Sequence, residues 1–210
     1  MRIPGFLMAP PRRRSGLPRF LALTDPERAA NPYLLLANLP EGSGLVWRAY
    51  EAKPSRFQLK DLSRASRRMH IPLFLAWTDR HRTMPLPVHR HLPEHCLNKP
   101  YTDGMFKTVR RQSPQVFVTA AAHSERAIIA AARAGIDAVL ISPVFPTRSH
   151  PGKASLGVIR FAALARLARS LGLSVYALGG VNDATKMHRL AATDATGIAG
   201  IDIFLADDQA

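Results

Sequence analysis

Cysteine is nearly absent from this chain. Cys96 stands alone, so no internal disulfide can form, and a reducing cytoplasmic setting is expected. Long apolar runs are also missing: no stretch reaches the ~18 consecutive apolar residues that a membrane span needs, so no membrane partner is expected. The opening residues mix Pro10-Pro11 with Arg12-Arg13-Arg14 and lack the apolar centre and small-residue cleavage site of a secretory signal. They read as a flexible basic arm over residues 1–18.

Acidic residues are scarce, 15 Asp and Glu against 29 Lys and Arg, which leaves a formal charge of +14. Such a surplus concentrates anions, whether nucleic acid, membrane surface or phosphate-bearing metabolites. Aromatics make up only 7% of the chain and form no platform interleaved with the basic residues. The arginines are dispersed: Arg64, Arg67 and Arg68 on one helical stretch, Arg126 and Arg133 on another, Arg160, Arg166 and Arg169 on a third. Without a basic stripe, zinc finger or RNA-recognition signature, no specific nucleic-acid partner is expected. A charge-driven association with DNA would show itself by steep loss of binding with salt.

What is present is a 210-residue chain, 47% hydrophobic, long enough for one domain with a full core. Strand-like apolar runs recur at Phe20–Thr24, Leu45–Tyr50, Pro72–Trp77, Val88–Leu92, Gln115–Ala120, Ala138–Ile141, Leu173–Leu178 and Gly197–Phe204. Between them lie helical patterns. Ser124 can cap a helix with Glu125 in its first turn and Gly135 as its stop. Phe161, Leu164, Ala165, Ala168 and Leu171 form an apolar stripe flanked by arginines, and Asn182 or Asp183 can cap a further helix through Leu190. Strands apolar on both faces belong to a covered parallel sheet. Their alternation with helices predicts a single (β/α)8 barrel over residues 19–207, with a doubly wound open sheet as the rival.

The richest segment follows the sixth run. There Ile141 gives way to Ser142-Pro143-Val144-Phe145-Pro146-Thr147-Arg148-Ser149-His150-Pro151-Gly152, a stiffened loop dense in hydroxyls and cations. A strand end that opens into such donors suits an anionic group. The seventh run ends in Gly179-Gly180 and enters a helix, a second ending of the phosphate-holding kind. Cys96, set in His95-Cys96-Leu97-Asn98, reads as an incidental thiol. His89, His91 and His95 lie close in sequence without the fourth ligand of a zinc site.

These motifs, with His123-Ser124-Glu125, Gly135-Ile136-Asp137-Ala138-Val139, Leu156-Gly157 and Gly197-Ile198-Ala199, make residues 121–204 resemble the thiamine-phosphate synthase and thiazole tautomerase superfamily. Thinner similarity continues upstream through Leu23-Thr24-Asp25, Thr78-Asp79-Arg80 and His91-Leu92-Pro93-Glu94. The resemblance implies a (β/α)8 barrel and a transferase. It would join hydroxymethylpyrimidine diphosphate to thiazole phosphate, release diphosphate and use Mg2+ to steady the leaving group. It implies small phosphorylated substrates as partners, and a homo-oligomer is compatible with it.

Carried over by position, Thr147 and Ser149 match the family's hydroxyl donors to diphosphate, and His150 stands where lysine is usual, a pH-dependent cation in place of a permanent one. Ser142, Gly179 and Gly180 fall at phosphate-binding positions. Asp79 matches the first metal carboxylate, and reads equally as a helix cap or a solvent-facing acid. Arg48 has two readings, pocket cation or structural ion-pair partner. His123 reads as structuring the strand-five exit. Departures are plain as well. The Gln-Leu-Arg-x-Lys motif of strand two is replaced by Val46-Trp47-Arg48-Ala49-Tyr50, and the second metal position offers only Glu94. The strand-five serine becomes Ala121 or Ala122, and Asp202 stands where a serine usually donates to phosphate. Pro143 replaces the tautomerase histidine, which argues against that activity. These changes leave a second reading open, a catalytically lapsed barrel that still binds a phosphorylated thiamine precursor.

Overall fold

The computed structural model describes residues 16–49, 54–76, 88–99, 102–148, 152 and 154–205. Eight parallel strands, taken in chain order, close into a barrel in which β1 also pairs with β8. The strands are β1 (Phe20–Leu23), β2 (Ser43–Trp47), β3 (Leu73–Ala76), β4 (His89–Leu92), β5 (Val118–Ala122), β6 (Ala138–Ile141), β7 (Ser174–Leu178) and β8 (Gly197–Gly200). The helices are α1 (Pro32–Asn38), α2 (Arg56–Arg68), α3 (Thr102–Gln112), α4 (Glu125–Arg133), α5 (Gly157–Ser170) and α6 (Ala184–Leu190). The (β/α)8 expectation is met, and the open-sheet rival falls with the β1–β8 pairing.

Strand alternation sends one set of side chains inward. Leu21, Leu23, Val46, Phe74, Ala138, Leu140, Tyr176 and Ala199 pack together inside the barrel. The opposite set meets the apolar stripes of the helices, such as Leu59 and Leu62 of α2 and Phe161, Leu164, Ala165 and Ala168 of α5, all buried. Helix entries are set locally. Ser55 and Gln58 form a reciprocal capping box on α2 (3.1 and 2.9 Å). Ser124 accepts from the Ala127 N–H at 3.2 Å, and Asp183 from the Lys186 N–H at 2.8 Å. Of the two candidate caps for α6, Asp183 is the one used.

The N-terminal end of the barrel is plugged. Residues 16–18, at the end of the stretch read as an arm, tuck beneath it, and the Tyr176 hydroxyl donates to the Pro18 carbonyl at 2.5 Å. Gly197 lies against the Tyr176 ring so closely that a Cβ would collide with it. Above this plug His89 is sandwiched between Phe74 and Phe117, with ring centroids 4.8 and 5.1 Å away. One end is thus closed by packing, which leaves the C-terminal ends of the strands as the open mouth.

Most strand boundaries differ from the sequence reading by a residue or more; β2 is Ser43–Trp47 in place of Leu45–Tyr50, and β5 and β8 show the physical reasons. β5 begins at Val118 rather than Gln115, because the Phe117 N–H is taken by His89 Nδ1 (2.9 Å) and pairing starts only beyond it. β8 ends at Gly200, and Asp202–Phe204 forms a single 3₁₀ turn whose Ile203 and Phe204 are buried. The apolar run there reflects burial of a turn, not a continued strand.

Candidate functional site

At the C-terminal mouth a cleft of about 470 Å³ opens between the ends of β6, β7, β8 and the start of α5. Its walls include Arg48, Ser142, Thr147, Gly179 and Gly180, so the sequence-predicted residues that fall among the described ones are brought together. Ser149, His150 and Asp79 lie outside the described residues. The β6 loop is stitched to its neighbours by backbone: Val144 N–H to Leu178 O and Phe145 N–H to Gly179 O, both 3.0 Å, and Leu156 N–H to Pro143 O at 2.9 Å. This close stacking accounts for the glycine pair. Gly179 and Gly180 have φ of +97° and +68°, and a Cβ on Gly180 would strike the Pro146 carbonyl and the Phe145 side chain.

A second lobe of about 560 Å³ lies over β4 and β5 and shares Leu23, Arg48, His123, Ser142 and Leu178 with the first. His91 lines this lobe although it is only 3% exposed. Its Nδ1 lies 2.9 Å from Thr119 Oγ1, whose proton is directed at the Arg90 carbonyl at 3.3 Å. That geometry puts the imidazole proton on Nδ1 and leaves Nε2 as an acceptor. Burial, seconded by the charge of Arg48, pushes the His91 pKa down to about 3, so the ring is neutral at physiological pH. Above it His123 Nδ1 donates to the Ser142 carbonyl (2.7 Å), while Glu94 accepts from the His123 N–H (2.6 Å) and sits 3.8 Å from Nε2. His123 therefore ties the ends of β5 and β6 together.

The wall formed by β1, β2 and β8 carries a chain of ion pairs. Arg48 donates through Nε to the Thr24 carbonyl (2.5 Å) and through Nη2 to Asp25 (3.0 Å). Asp25 also takes Arg28 Nη2 at 3.3 Å, and Arg28 Nη1 reaches Asp202 at 2.7 Å. Burial works against the Asp25 charge, but the hydrogen bonds and charges of Arg28 and then Arg48 outweigh it and hold its carboxyl below the ordinary value. Both readings of Arg48 therefore hold in part: it lines the cleft, and its charge is answered by Asp25. Arg28 and its place in this chain were not read from the sequence. The only signal was its position just past the C-terminal end of β1, where barrels set functional side chains.

The metal reading turns on Asp79, which lies outside the described residues. No group of three or more His, Cys, Asp or Glu side chains is arranged to hold an ion among them. Glu94, the one carboxylate at the second expected position, is engaged with His123. Among the described residues, no helix is long and apolar enough to cross a membrane.

Closed barrel, plugged floor and a two-lobed mouth built from strand ends define a (β/α)8 protein whose cleft opens at the C-terminal ends of its strands. Residues 96–204 match the sequence model of a family described as thiamine monophosphate synthase (TMP-TENI), and the chain belongs to that family. It is 33% identical over 115 residues to the Aquifex aeolicus (strain VF5) protein called "Putative thiamine-phosphate synthase 2". That match covers 55% of this chain and 56% of the relative, so the chain spans only about half the length of the curated relative it matches. Among solved structures it is similar to a thiamine phosphate pyrophosphorylase from Pyrococcus furiosus, with a TM-score of 0.64, 18% identity and coverage of 90% of this chain and 89% of the other. It is also similar to FabK from Thermotoga maritima, with a TM-score of 0.67, 17% identity and coverage of 90% and 59%. At such identities the likeness concerns the fold alone.

Proposed function

We propose that the protein is a transferase of thiamine biosynthesis that joins hydroxymethylpyrimidine diphosphate to a thiazole and releases diphosphate. The observation that carries this reading is the convergence of Thr147, Ser142, Gly179 and Gly180 on one cleft beside the start of α5. α5 has no side-chain cap and no acid in its first turn, and Arg160 of that turn lines the same cleft, so this side is electropositive. In a dissociative transfer the barrier is set by charge gathering on the leaving diphosphate, so preorganised donors and cations there are the catalytic parts. Thr147, Ser149 and His150 would serve as those donors.

The test is direct. Purified protein is incubated with the pyrimidine diphosphate and the thiazole, phosphorylated or not, with and without Mg2+. Coupled product and released diphosphate are expected; folded protein that gives neither removes the synthase reading. The pairing of Arg48 with Asp25 favours the lapsed-barrel alternative, since that cation is already neutralised. Calorimetric binding of diphosphate without any turnover is the result that selects it.

A further inference from the structure

Three arginines line the cleft at the mouth: Arg28, Arg48 and Arg160. Two of them are answered by the chain itself. Arg48 Nη2 lies 3.0 Å from Asp25, and Arg28 is shared between Asp25 at 3.3 Å and Asp202 at 2.7 Å. Among the described residues no carboxylate lies within ion-pair distance of Arg160. Its position also works against its own helix. The first turn of α5 contains no acid, and a cation there faces the positive end of the helix dipole. The backbone at this helix start is partly engaged, since the Leu156 and Gly157 N–H groups are taken by the Pro143 and Val144 carbonyls at 2.9 and 3.0 Å. Asn182 lines the same cleft, and its Oδ1 accepts from Lys186 Nζ, which leaves the Nδ2–H pair as donors. A guanidinium set against its helix dipole and beside amide donors gains its counter-charge from a bound anion, not from the fold.

We propose that Arg160 is a substrate-binding residue whose guanidinium takes a phosphoryl group seated between the β6 loop and the β7 glycines. This rests on the transferase reading for the identity of the anion, and adds to its loop donors a permanent cation supplied by the helix wall. The planar fork of the guanidinium matches two phosphoryl oxygens at once. Arg160 is exposed, so its grip is screened by salt and moderate in strength. Such a residue holds the bound ground state and the transition state alike, and it acts on affinity and KM more than on kcat. A diphosphate and a phosphate monoester present the same terminal phosphoryl chemistry, and binding measurements separate the two.

Calorimetry on the full chain measures binding of inorganic diphosphate and, separately, of hydroxyethylthiazole phosphate to wild type, Arg160→Gln, Arg160→Lys and Arg169→Gln. Arg169 stands in the last turn of the same helix and does not line the cleft, so its change removes an equal charge elsewhere. Arg160→Gln is expected to weaken at least one of the two anions by about 10-fold. Arg160→Lys should recover part of that loss, because the charge returns without the fork. Arg169→Gln should change either affinity by less than ~2-fold. Thermal melting of each variant confirms that the loss is read on folded protein. Weaker diphosphate alone places the guanidinium on the leaving group, weaker ester alone places it on the acceptor's phosphate, and either supports the proposal. Unchanged binding of both anions, an equal loss in Arg169→Gln, a lysine that recovers nothing, or a wild type that binds neither anion each overturns it. Turnover with the pyrimidine diphosphate is scored separately. Weakened binding in a chain that gives no product leaves Arg160 in its role and removes the transferase reading. Product formed with an unchanged KM in Arg160→Gln does the reverse.

Discussion

The Tyr176 hydroxyl donates to the Pro18 carbonyl at 2.5 Å across 158 positions of sequence, and so anchors the chain's N-terminal approach to the barrel floor. Burial pushes the phenol's pKa above its ordinary value, so it remains a donor throughout the working pH range. Tyr176→Phe leaves that carbonyl buried without its partner and is expected to cost about 1–3 kcal/mol. Chemical denaturation reads the loss directly, and an unchanged midpoint would remove this contact from the account of the floor.

Ser43 supplies the opposite case. Its side chain is fully buried at the start of β2, and its Oγ has no hydrogen-bond partner among the described residues. Ser43→Ala removes an unsatisfied hydroxyl without opening a large cavity, so stability should stay level or rise by up to about 1 kcal/mol. A clear loss in thermal melting would mean that the hydroxyl is bonded in solution.

His91 governs a pH dependence whose sign is fixed by its burial. The folded pKa, about 3, lies below the ordinary 6.5. Between these values the unfolded chain takes a proton that the folded one refuses, so stability falls as pH drops from 6.5 towards 3. The slope this one group contributes is about 1.4 kcal/mol per pH unit at most. His91→Gln should flatten the curve between about pH 6 and 4 relative to wild type. Identical slopes would place the imidazole in contact with water.

Gly180 should tolerate no side chain. Alanine there must adopt left-handed backbone at about 1–2 kcal/mol and also displace the β6 loop at Pro146 and Phe145. Gly180→Ala is expected to lower the melting temperature and to weaken diphosphate binding together. A stable variant with normal binding would show that the two loops are less tightly stacked.

Thr147→Ala tests the leaving-group site. A donor used mainly in the transition state should cost on the order of 10²-fold in kcat with a smaller change in KM. His150→Lys, which installs a permanent cation, should preserve or raise turnover. If Thr147→Ala, Ser149→Ala and His150→Ala all retain parental rates, the loop is only a connector.

Much of the fold was legible because strand and helix signals alternate cleanly from Val118 onward, with Ser124, Gly135 and Asp183 marking helix ends that the structure uses. The cleft was legible where its residues are local, in the Ser142–Thr147 loop and the Gly179-Gly180 pair. The Arg28–Asp202 contact was not, since 174 positions separate the partners and neither stands in a pattern that names the other. His91 was seen only as one of several nearby histidines; its inward direction is set by β-strand parity against Thr119, which the barrel register decides.

The Arg28–Asp202 pair also joins the segments that follow the first and last strands. β1 cannot complete its second edge, nor Arg28 meet its acid, until β8 has been synthesised and has come to lie beside β1. The β6–β7 side of the mouth draws on residues between 142 and 182, but the opposite wall needs both the first and the last strand. A ligand gripped by both sides therefore reports ring closure, and its affinity is a measure of how completely the first and last strands have met.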